Sequence, residues 1–354
     1  MRAAKRGLPY LLITCAVVLL GASPPTSAQD TLTILSFGGP FQAAQRKAYM
    51  EPFSKATGVK IKEDEWGGEM AKLRAMVQSK NPTWDVVDLS DGQVELACNE
   101  GLVEPLDVKL FGGKDRFLPG AVSDCAIGNT VFSLVIGYNA DKYPQGGPTK
   151  VSDFWDVKKF PGPRAMRKSP RHNMEIALIA DGVPPDKVYE VLGTEAGVAR
   201  AFKKLDEIKP HVKVWFDPWQ QAMQMLIDGE VWMSTGTNGR VSDAAKQSGK
   251  NLKVLWDAQG LGMDHWAVVK GTPKRDLAIK FIQFAEQDQQ LVEFPKYINY
   301  GVPVKTAIEK IAPALGENLP TASANMKVAY RQSPRFWADH GDDYEVRFNT
   351  WLAK

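Results

Sequence analysis

Along the first hundred residues, stretches in which apolar and polar residues alternate are followed by stretches in which apolar residues recur at helical spacing. Residues 31–37 alternate and are rich in β-formers, whereas residues 41–57 carry apolar side chains on one helical face and end at Gly58. The same pattern predicts strands over 59–65 and 85–89 and helices over 69–80 and 93–100. This β-α-β-α-β-α order predicts an α/β fold in which helices cover the faces of a parallel sheet.

A second α/β unit follows. Residues 130–139 form a long β-rich run with Gly137 inside it, as expected of a strand that leaves one domain, bends at the glycine and enters another. Further strands are expected at 162–166, 213–216, 230–235 and 265–270, the last crossing back, and helices at 152–155, 173–181, 185–192, 196–209, 219–228, 241–249 and 277–287. Residues 289–354 are expected to be mostly helical.

Length also favours two domains, because the chain exceeds what one hydrophobic core usually fills. We expect lobe 1 to comprise residues 29–136 and 267–312, and lobe 2 residues 137–266 and 313–354. The strands that connect the two lobes would form a multi-strand hinge.

The segment EVWMSTGTNGRV, residues 230–241, combines an apolar strand, a small-residue turn and an arginine. A helix that begins after the turn would direct free N–H groups at an anion, and Arg240 would clamp that anion. Two alternatives are that Asn238-Gly239 forms a hairpin turn and that Arg240 pairs with Asp243. The residues after the turn have little strand character, which favours the anion site.

Short polar segments follow two of the predicted strands. Ligand-facing loops of such sheets lie at the carboxyl ends of the strands, which singles out Ser36-Phe37-Gly38-Gly39 and Ser90-Asp91-Gly92. Asp91 either contacts an amine or caps the following helix. Four aromatic residues either belong to the core or wall the cleft, namely Phe37, Trp66, Trp219 and Trp266.

The first 28 residues have the features of a secretion signal. Arg2, Lys5 and Arg6 precede an apolar run over 11–20, and small residues lead to Ala28. Their removal lowers Lys+Arg from 44 to 41, equal to the 41 acidic residues, so the mature chain has no net charge. Nucleic acid is therefore not an expected partner. We expect a soluble, monomeric protein in the periplasm.

Two cysteines remain in the mature chain, Cys98 and Cys125. In an oxidising compartment they are expected to form a structural disulfide. A metal or nucleophile pair is the weaker interpretation, because none of the four histidines lies at ligand spacing. No nucleophile–base–acid motif is present, so we expect neither catalysis nor a cofactor or metal; a secreted enzyme on a bilobal fold is the alternative class.

The ordered set of motifs resembles the spermidine/putrescine-binding family of periplasmic solute-binding proteins of ABC importers. The resemblance covers essentially all of the mature chain and is carried by SFGG, PFSKATGVKI, DVVDLS, GYNADKYP, DFWDVKKFPGPRAM, ADGVPPDKVY, DGEVWMSTGTNGRV, GMDHWAVVKGTP, AIKFIQFA and YINYGVPV. It implies a two-lobed clamshell of type II that closes on a small solute, without catalysis, and is recognised by the importer's permease.

The resemblance also implies individual ligand contacts. Ser90, Asp264 and Tyr300 match contact positions of the polyamine binders, the aspartate being the one that holds an ammonium. Where those proteins carry an acidic pair, this chain has Ser169 and His172, so Arg171 and His172 either face the cleft or cap a helix.

A second departure lies at the turn in EVWMSTGTNGRV. Thr237 replaces a tryptophan before Asn238, and Arg240 follows the turn. Because an arginine repels a second ammonium, these departures favour a zwitterion and resemble the branch that binds γ-aminobutyrate (GABA) and related amino acids. A polyamine remains the alternative ligand.

Overall fold

The computed structural model describes Met1 and residues 31–354. The expected secretion signal and its cleavage site lie outside these residues. Among the residues that the structure describes, no helix combines the length and apolar character needed to span a membrane.

One twisted sheet of nine strands runs through the molecule in the order β2-β1-β3-β8-β4-β7-β5-β6, with β9 beside β8. The strands are β1 Thr31–Ser36, β2 Lys60–Glu65, β3 Val86–Ser90, β4 Ile127–Asn139, β5 Arg164–Arg167, β6 Val212–Phe216, β7 Met233–Thr237, β8 Leu252–Val268 and β9 Tyr330–Arg331. Strand β1 is parallel to β2 and β3, and β5 is parallel to β6 and β7. Strand β4 runs antiparallel to β7 and β8, and β8 also runs antiparallel to β3. The sheet is therefore mixed, whereas the sequence predicted a parallel sheet.

Fifteen α-helices among the described residues cover the sheet. They are α1 Gly39–Gln45, α2 Glu51–Thr57, α3 Met70–Gln78, α4 Asp91–Asn99, α5 Asn173–Ala180, α6 Val188–Leu192, α7 Glu195–Ile208, α8 Trp219–Asp228, α9 Asn238–Ser248, α10 Arg275–Ala285, α11 Asp288–Leu291, α12 Lys305–Lys310, α13 Pro313–Gly316, α14 Ser323–Met326 and α15 Pro334–Leu352. A π-helical segment, Arg46–Met50, joins α1 to α2, so the helix expected over 41–57 is continuous but widened in the middle. The residues expected at 152–155 form a 3₁₀ turn, Val151–Phe154.

Strands β4 and β8 extend across both halves of the molecule and carry the irregularity expected of a hinge. Their register shifts between Leu134, which faces Gly260, and Ile136, which faces Leu255. Within the shifted stretch of β8, Ala258 has a left-handed φ of 58°, an unusual conformation for alanine. The bend therefore lies next to Gly137 and not at that residue, where the sequence predicted it. Gly137 pairs regularly with the neighbouring strands. Its lack of a side chain leaves space for Val241, whose Cγ2 would lie 2.7 Å from an added Cβ.

Hydrophobic side chains pack into separate groups on either side of this irregularity. Leu261 and Met263 of β8 pack with β1 and β3, forming the first core, whereas Leu255 and Ala258 pack with β5 and α5, forming the second core. Tyr330 belongs to the second core, and Met326 packs against the first. The expected lobe division stays a prediction, and this packing favours changes of lobe near residues 135, 259 and 329.

The expected disulfide is present between Cys98 and Cys125, whose Cα atoms are 6.1 Å apart. It joins the last turn of α4 to the segment that precedes β4. The disulfide therefore anchors α4 at the end opposite to Asp91.

Candidate functional site

A cavity of about 700 Å³ lies between the first core and the second core. Its lining comes from the carboxyl ends of strands in both halves, as expected for an open α/β sheet. Ten of the thirteen predicted ligand-binding residues line it: Phe37, Trp66, Ser90, Asp91, Arg171, Trp219, Thr237, Arg240, Asp264 and Tyr300. Residues that the sequence analysis did not select include Phe41, Gln93, Phe132, Arg167, Asn173, Trp337 and Glu345.

The structure does not bring Ser36, Gly38 and Asn238 to the cavity wall. The Ser36 hydroxyl donates to Gln45 Oε1 over 2.6 Å, and the Gly38 N–H donates to Gln42 Oε1 over 3.0 Å. Asn238 accepts from the backbone N–H of Ser133 over 2.9 Å and donates to the carbonyl of Asn299. Their polar groups are used within the framework, so the structure does not support the expectation that they contact a ligand directly.

Two aspartates, Asp91 and Asp264, form what we call the acidic wall. Asp264 lies on β8 opposite Ser90 of β3 and is 8% exposed. Its carboxylate has no hydrogen-bond donor among residues 31–354. Burial raises the pKa of Asp264 well above its ordinary value, and the charges of Asp88 and Asp91 raise it further. The acidic wall therefore presents a carboxyl group that a cation would stabilise as a carboxylate.

The Asp91 carboxylate accepts a hydrogen bond within the protein, whereas that of Asp264 accepts none from the described residues. Asp91 is the first residue of α4, and the N-cap is Ser90, so of the two alternatives for Asp91 the helix cap is wrong. Its Oδ2 accepts from the backbone N–H of Met263 over 2.9 Å, and its Oδ1 lies 3.8 Å from Nε2 of His265. Asp91 is thus fixed at the edge of the acidic wall.

Behind the acidic wall lies a third aspartate, Asp88, which is completely buried. It accepts hydrogen bonds from Gln45 over 2.6 Å, Asn129 over 2.9 Å and Ser36 over 3.2 Å. Burial raises its pKa to about 7, although the three donors oppose the shift. The charge of Asp88 therefore adds to the burial that opposes ionisation of Asp264.

Three arginines from the opposite half, Arg167, Arg171 and Arg240, form what we call the basic wall. Arg240 lies in the first turn of α9, whose N-cap is Thr237. The chain after β7 is therefore a helix, so the hairpin interpretation of Asn238-Gly239 is wrong. Arg240 forms no ion pair with Asp243 within 4.0 Å in the described part of the chain, which leaves its guanidinium facing the cavity.

Arg167 was missed at the sequence level. It is the last residue of β5, and its guanidinium carbon lies 4.3 Å from the centre of the Trp219 ring. Arg171 lies 5.4 Å from the Trp337 ring in the same way. Burial lowers the pKa of Arg167, as do Arg171 and Arg240, while Asp217 and Glu345 oppose this change. Neither arginine has a carboxylate within 4.0 Å among residues 31–354.

Helix N-termini reinforce the positive potential of the basic wall. Helices α5, α8 and α9 all begin there, and Asn173 and Trp219 are the first residues of the first two. The free N–H groups of a helix start carry a partial positive charge that stabilises anions. The basic wall is therefore built from side chains and backbone alike.

Aromatic rings also line the cavity. Phe37 stacks on Trp66 with ring centres 6.0 Å apart, and Phe41 packs edge-on against Tyr300. Trp66 and Trp219 line the cavity, whereas Trp266 is fully buried among core rings. His172 lines the cavity but is buried, and burial lowers its pKa to about 3, so the ring is neutral.

Comparisons with known proteins agree with this architecture. Residues 48–323 match the family model described as bacterial extracellular solute-binding protein. The chain is 40% identical over 348 residues to a gamma-aminobutyric acid-binding protein of Pseudomonas aeruginosa, which covers 98% of each chain.

Solved structures are similar over nearly the whole chain. An ABC transporter substrate-binding protein from Bradyrhizobium japonicum has a TM-score of 0.83 at 35% identity, covering 91% of this chain and 99% of that one. A GABA receptor has a TM-score of 0.79 at 32% identity, covering 92% of this chain and 98% of that one.

Proposed function

Because the chain belongs to the bacterial extracellular solute-binding proteins, we propose that it is the receptor through which an ABC importer takes up a zwitterionic amino acid such as GABA. The observation that carries this proposal is the separation of charge across the cavity. Asp264 and Asp91 lie on one side, and Arg240 lies on the other beside the start of α9. A solute with an ammonium at one end and a carboxylate at the other matches this arrangement.

In the proposed complex the ammonium binds at the acidic wall. It donates to Asp264, whose carboxylate lacks donors, and the rings of Trp66 and Phe37 cover its hydrocarbon chain. A cation next to Asp264 lowers the pKa of this residue, so that the aspartate becomes ionised as the ligand binds.

The carboxylate binds at the basic wall. Arg240 offers a planar pair of N–H donors, and the first turn of α9 adds a favourable dipole. Each charge-assisted contact contributes about 1.5–3 kcal/mol, so two such contacts with aromatic burial are consistent with micromolar affinity.

Binding is coupled to closure of the two lobes. A ligand held only by the acidic wall stabilises the open and closed forms equally, whereas one that also reaches Arg240 stabilises the closed form. We propose that the mature protein acts as a monomer in the periplasm, after removal of residues 1–28, and that the permease recognises the closed form. We propose no catalytic step, cofactor or metal.

A set of four-carbon ligands tests the proposal. The refolded, ligand-free protein is titrated by calorimetry with GABA, butyrate, n-butylamine and putrescine. GABA carries an ammonium and a carboxylate, butyrate carries the carboxylate alone, n-butylamine the ammonium alone, and putrescine two ammonium groups. GABA is expected to bind at least about tenfold more tightly than the other three, because each of them lacks one charge-assisted contact. Tighter binding of putrescine would replace the amino acid with a polyamine. Equal binding of butyrate and GABA would remove the ammonium role of the acidic wall.

A further inference from the structure

The basic wall contains more positive charge than one carboxylate needs. Resting on the proposed function, we infer that the preferred ligand carries a second anionic group, which Arg167 and Arg171 hold, so that the substrate class is the amino dicarboxylates or amino acids with an equivalent acidic substituent.

The stacking of the two arginines supports this assignment. The Arg167 guanidinium lies 4.3 Å from the Trp219 ring centre, and the Arg171 guanidinium lies 5.4 Å from that of Trp337. A guanidinium whose face rests on a ring keeps its in-plane N–H donors available, and these are the donors that bind a carboxylate bidentately. The tryptophans therefore orient the arginines without using their hydrogen-bonding capacity.

The distribution of carboxylates points the same way. Among the described residues that line the cavity on the basic side, Glu345 is the one carboxylate beside three arginines. Glu345 accepts from the Ser169 hydroxyl over 3.2 Å and forms no ion pair with any arginine within 4.0 Å. Asp217 and Glu345 oppose the burial that lowers the pKa of Arg167, but neither forms an ion pair with it within 4.0 Å. A single ligand carboxylate on Arg240 would therefore leave Arg167 and Arg171 without a directly paired anion when closure removes water, which is costly in a low-dielectric site.

The size of the cavity leaves space for the additional group. Its volume of about 700 Å³ lies in the range of roughly 300–1,000 Å³ that is typical of sites for drug-sized ligands. A short unbranched ω-amino acid fills only part of it. Arg167 is at the end of β5 and Arg240 is at the start of α9, so a branched ligand can offer one anionic group to each while its ammonium reaches Asp264.

Two pairs of ligands that differ by one carboxylate test the inference by calorimetry. 2-(Aminomethyl)succinate is GABA with an added carboxylate on C3, away from the ammonium, and 2-(2-aminoethyl)succinate is 5-aminovalerate with the same addition. The wild-type protein is expected to bind each dicarboxylate about tenfold or more tightly than its monocarboxylate partner.

Substitution of the arginines locates the second anionic group. Arg167→Gln and Arg171→Gln are expected to reduce the dicarboxylate preference toward unity, and Arg167→Lys to retain part of it. Lys168→Gln removes a neighbouring exposed cation that does not line the cavity and is expected to leave the preference unchanged. Because Arg171 is exposed, Arg171→Gln provides a folded variant even if Arg167→Gln destabilises β5.

The outcomes separate this inference from the proposed function. Equal or tighter binding of the monocarboxylates, or a dicarboxylate preference that survives both glutamine variants, would overturn the second anionic group while leaving a zwitterion receptor intact. Absence of binding by all four ligands would overturn the proposed function as well.

Discussion

The hydroxyl of Tyr300 lies 3.3 Å from Oγ1 of Thr237. Tyr300 packs in the first core, and Thr237 ends β7 in the other half of the molecule, so this contact joins the two halves at the cavity. The Tyr300 ring also occupies the space beside Gly239, where an added Cβ would lie 2.4 Å from Cε1. The first turn of α9, and with it Arg240, is therefore positioned against Tyr300.

Gly239→Ala is expected to weaken ligand binding by about tenfold or more, because the new methyl group forces apart Tyr300 and the start of α9. Calorimetry gives the affinity, and thermal unfolding shows whether the fold persists. The matched control is Gly316→Ala, where the nearest atom, Ile311 Cγ2, lies 3.7 Å from the added Cβ. Unchanged affinity in the Gly239 variant would show that Tyr300 does not position Arg240.

Arg240→Ala is expected to lower the affinity for a zwitterionic amino acid by about 10- to 150-fold, the value of a charge-assisted contact. Arg240→Lys retains the charge without the planar fork and is expected to fall in between. Wild-type affinity in the alanine variant would place the carboxylate elsewhere on the basic wall.

Asp264→Asn is expected to have opposite effects on stability and binding. The folded state raises the pKa of Asp264, so the residue destabilises the ligand-free protein at any pH above its unfolded-state pKa, and a neutral amide removes this cost. The variant should therefore unfold at a higher temperature than the wild type at pH 8 but bind amines less tightly. Losses that are equal for GABA and butyrate would argue against an ammonium at Asp264.

The affinity for an ammonium-bearing ligand is expected to increase with pH through the acidic range. Protonated Asp264 must lose its proton to pair with the ammonium, and this loss reduces the affinity at every pH below the pKa of Asp264. Because that pKa is raised, the reduction extends to a higher pH than it would for an ordinary aspartate. Titrations in buffers of different ionisation enthalpy at pH 5–8 measure the protons released. In Asp264→Asn the part of this release that comes from Asp264 should be lost.

Asp88 is expected to make the ligand-free protein less stable as the pH rises from its unfolded-state pKa near 4 to its folded pKa of about 7. Within this window the folded state holds a proton that the unfolded state releases. The contribution is at most about 4 kcal/mol, from roughly three pKa units. Urea unfolding at pH 5 and pH 8 should show a smaller difference for Asp88→Asn than for the wild type, while Asp186→Asn at an exposed site serves as the control.

Removal of the disulfide is expected to cost about 3–4 kcal/mol, because the cross-link closes a loop with a sequence separation of 27 residues. Cys98→Ser/Cys125→Ser should therefore unfold at lower denaturant concentration. Since Cys98 lies in the last turn of the helix that begins at Asp91, amine binding should also weaken. A double variant as stable as the wild type would contradict the loop-closure argument.

Local patterns were sufficient for most elements of the fold. Helix α8 begins and ends where the spacing of apolar residues and Gly229 predict, and β7 and α9 shift by only a few residues. Strand β8 was predicted at less than half of its length of 17 residues, because its first part is only half-buried and lacks a strong alternating pattern. Its pairing with β4, which continues over both halves, stabilises it as a strand.

The cavity was harder to predict where its residues come from distant parts of the chain. Arg167 had a usable signal, since it ends a short strand and functional side chains follow strand ends. Trp337 had none, because it lies in α15 and reaches the cavity through tertiary packing, with its indole N–H donating to Glu175 over 2.9 Å. Ser36 and Asn238 lie at the strand ends where the sequence placed them. Their side chains form hydrogen bonds within the protein framework instead of lining the cavity.

Separation of charge by lobe divides ligand recognition between parts of the chain that can evolve independently. The arginines proposed to bind the acidic groups lie between residues 167 and 240, whereas the aspartates proposed to bind the amine lie on α4 and the last part of β8. A substitution on one wall changes selectivity for one end of the solute and leaves the chemistry of the other wall in place. A lineage of such receptors can therefore exchange one acidic substituent for another while it conserves the amine site, and chimeras that swap a whole lobe should inherit each preference from its own parent.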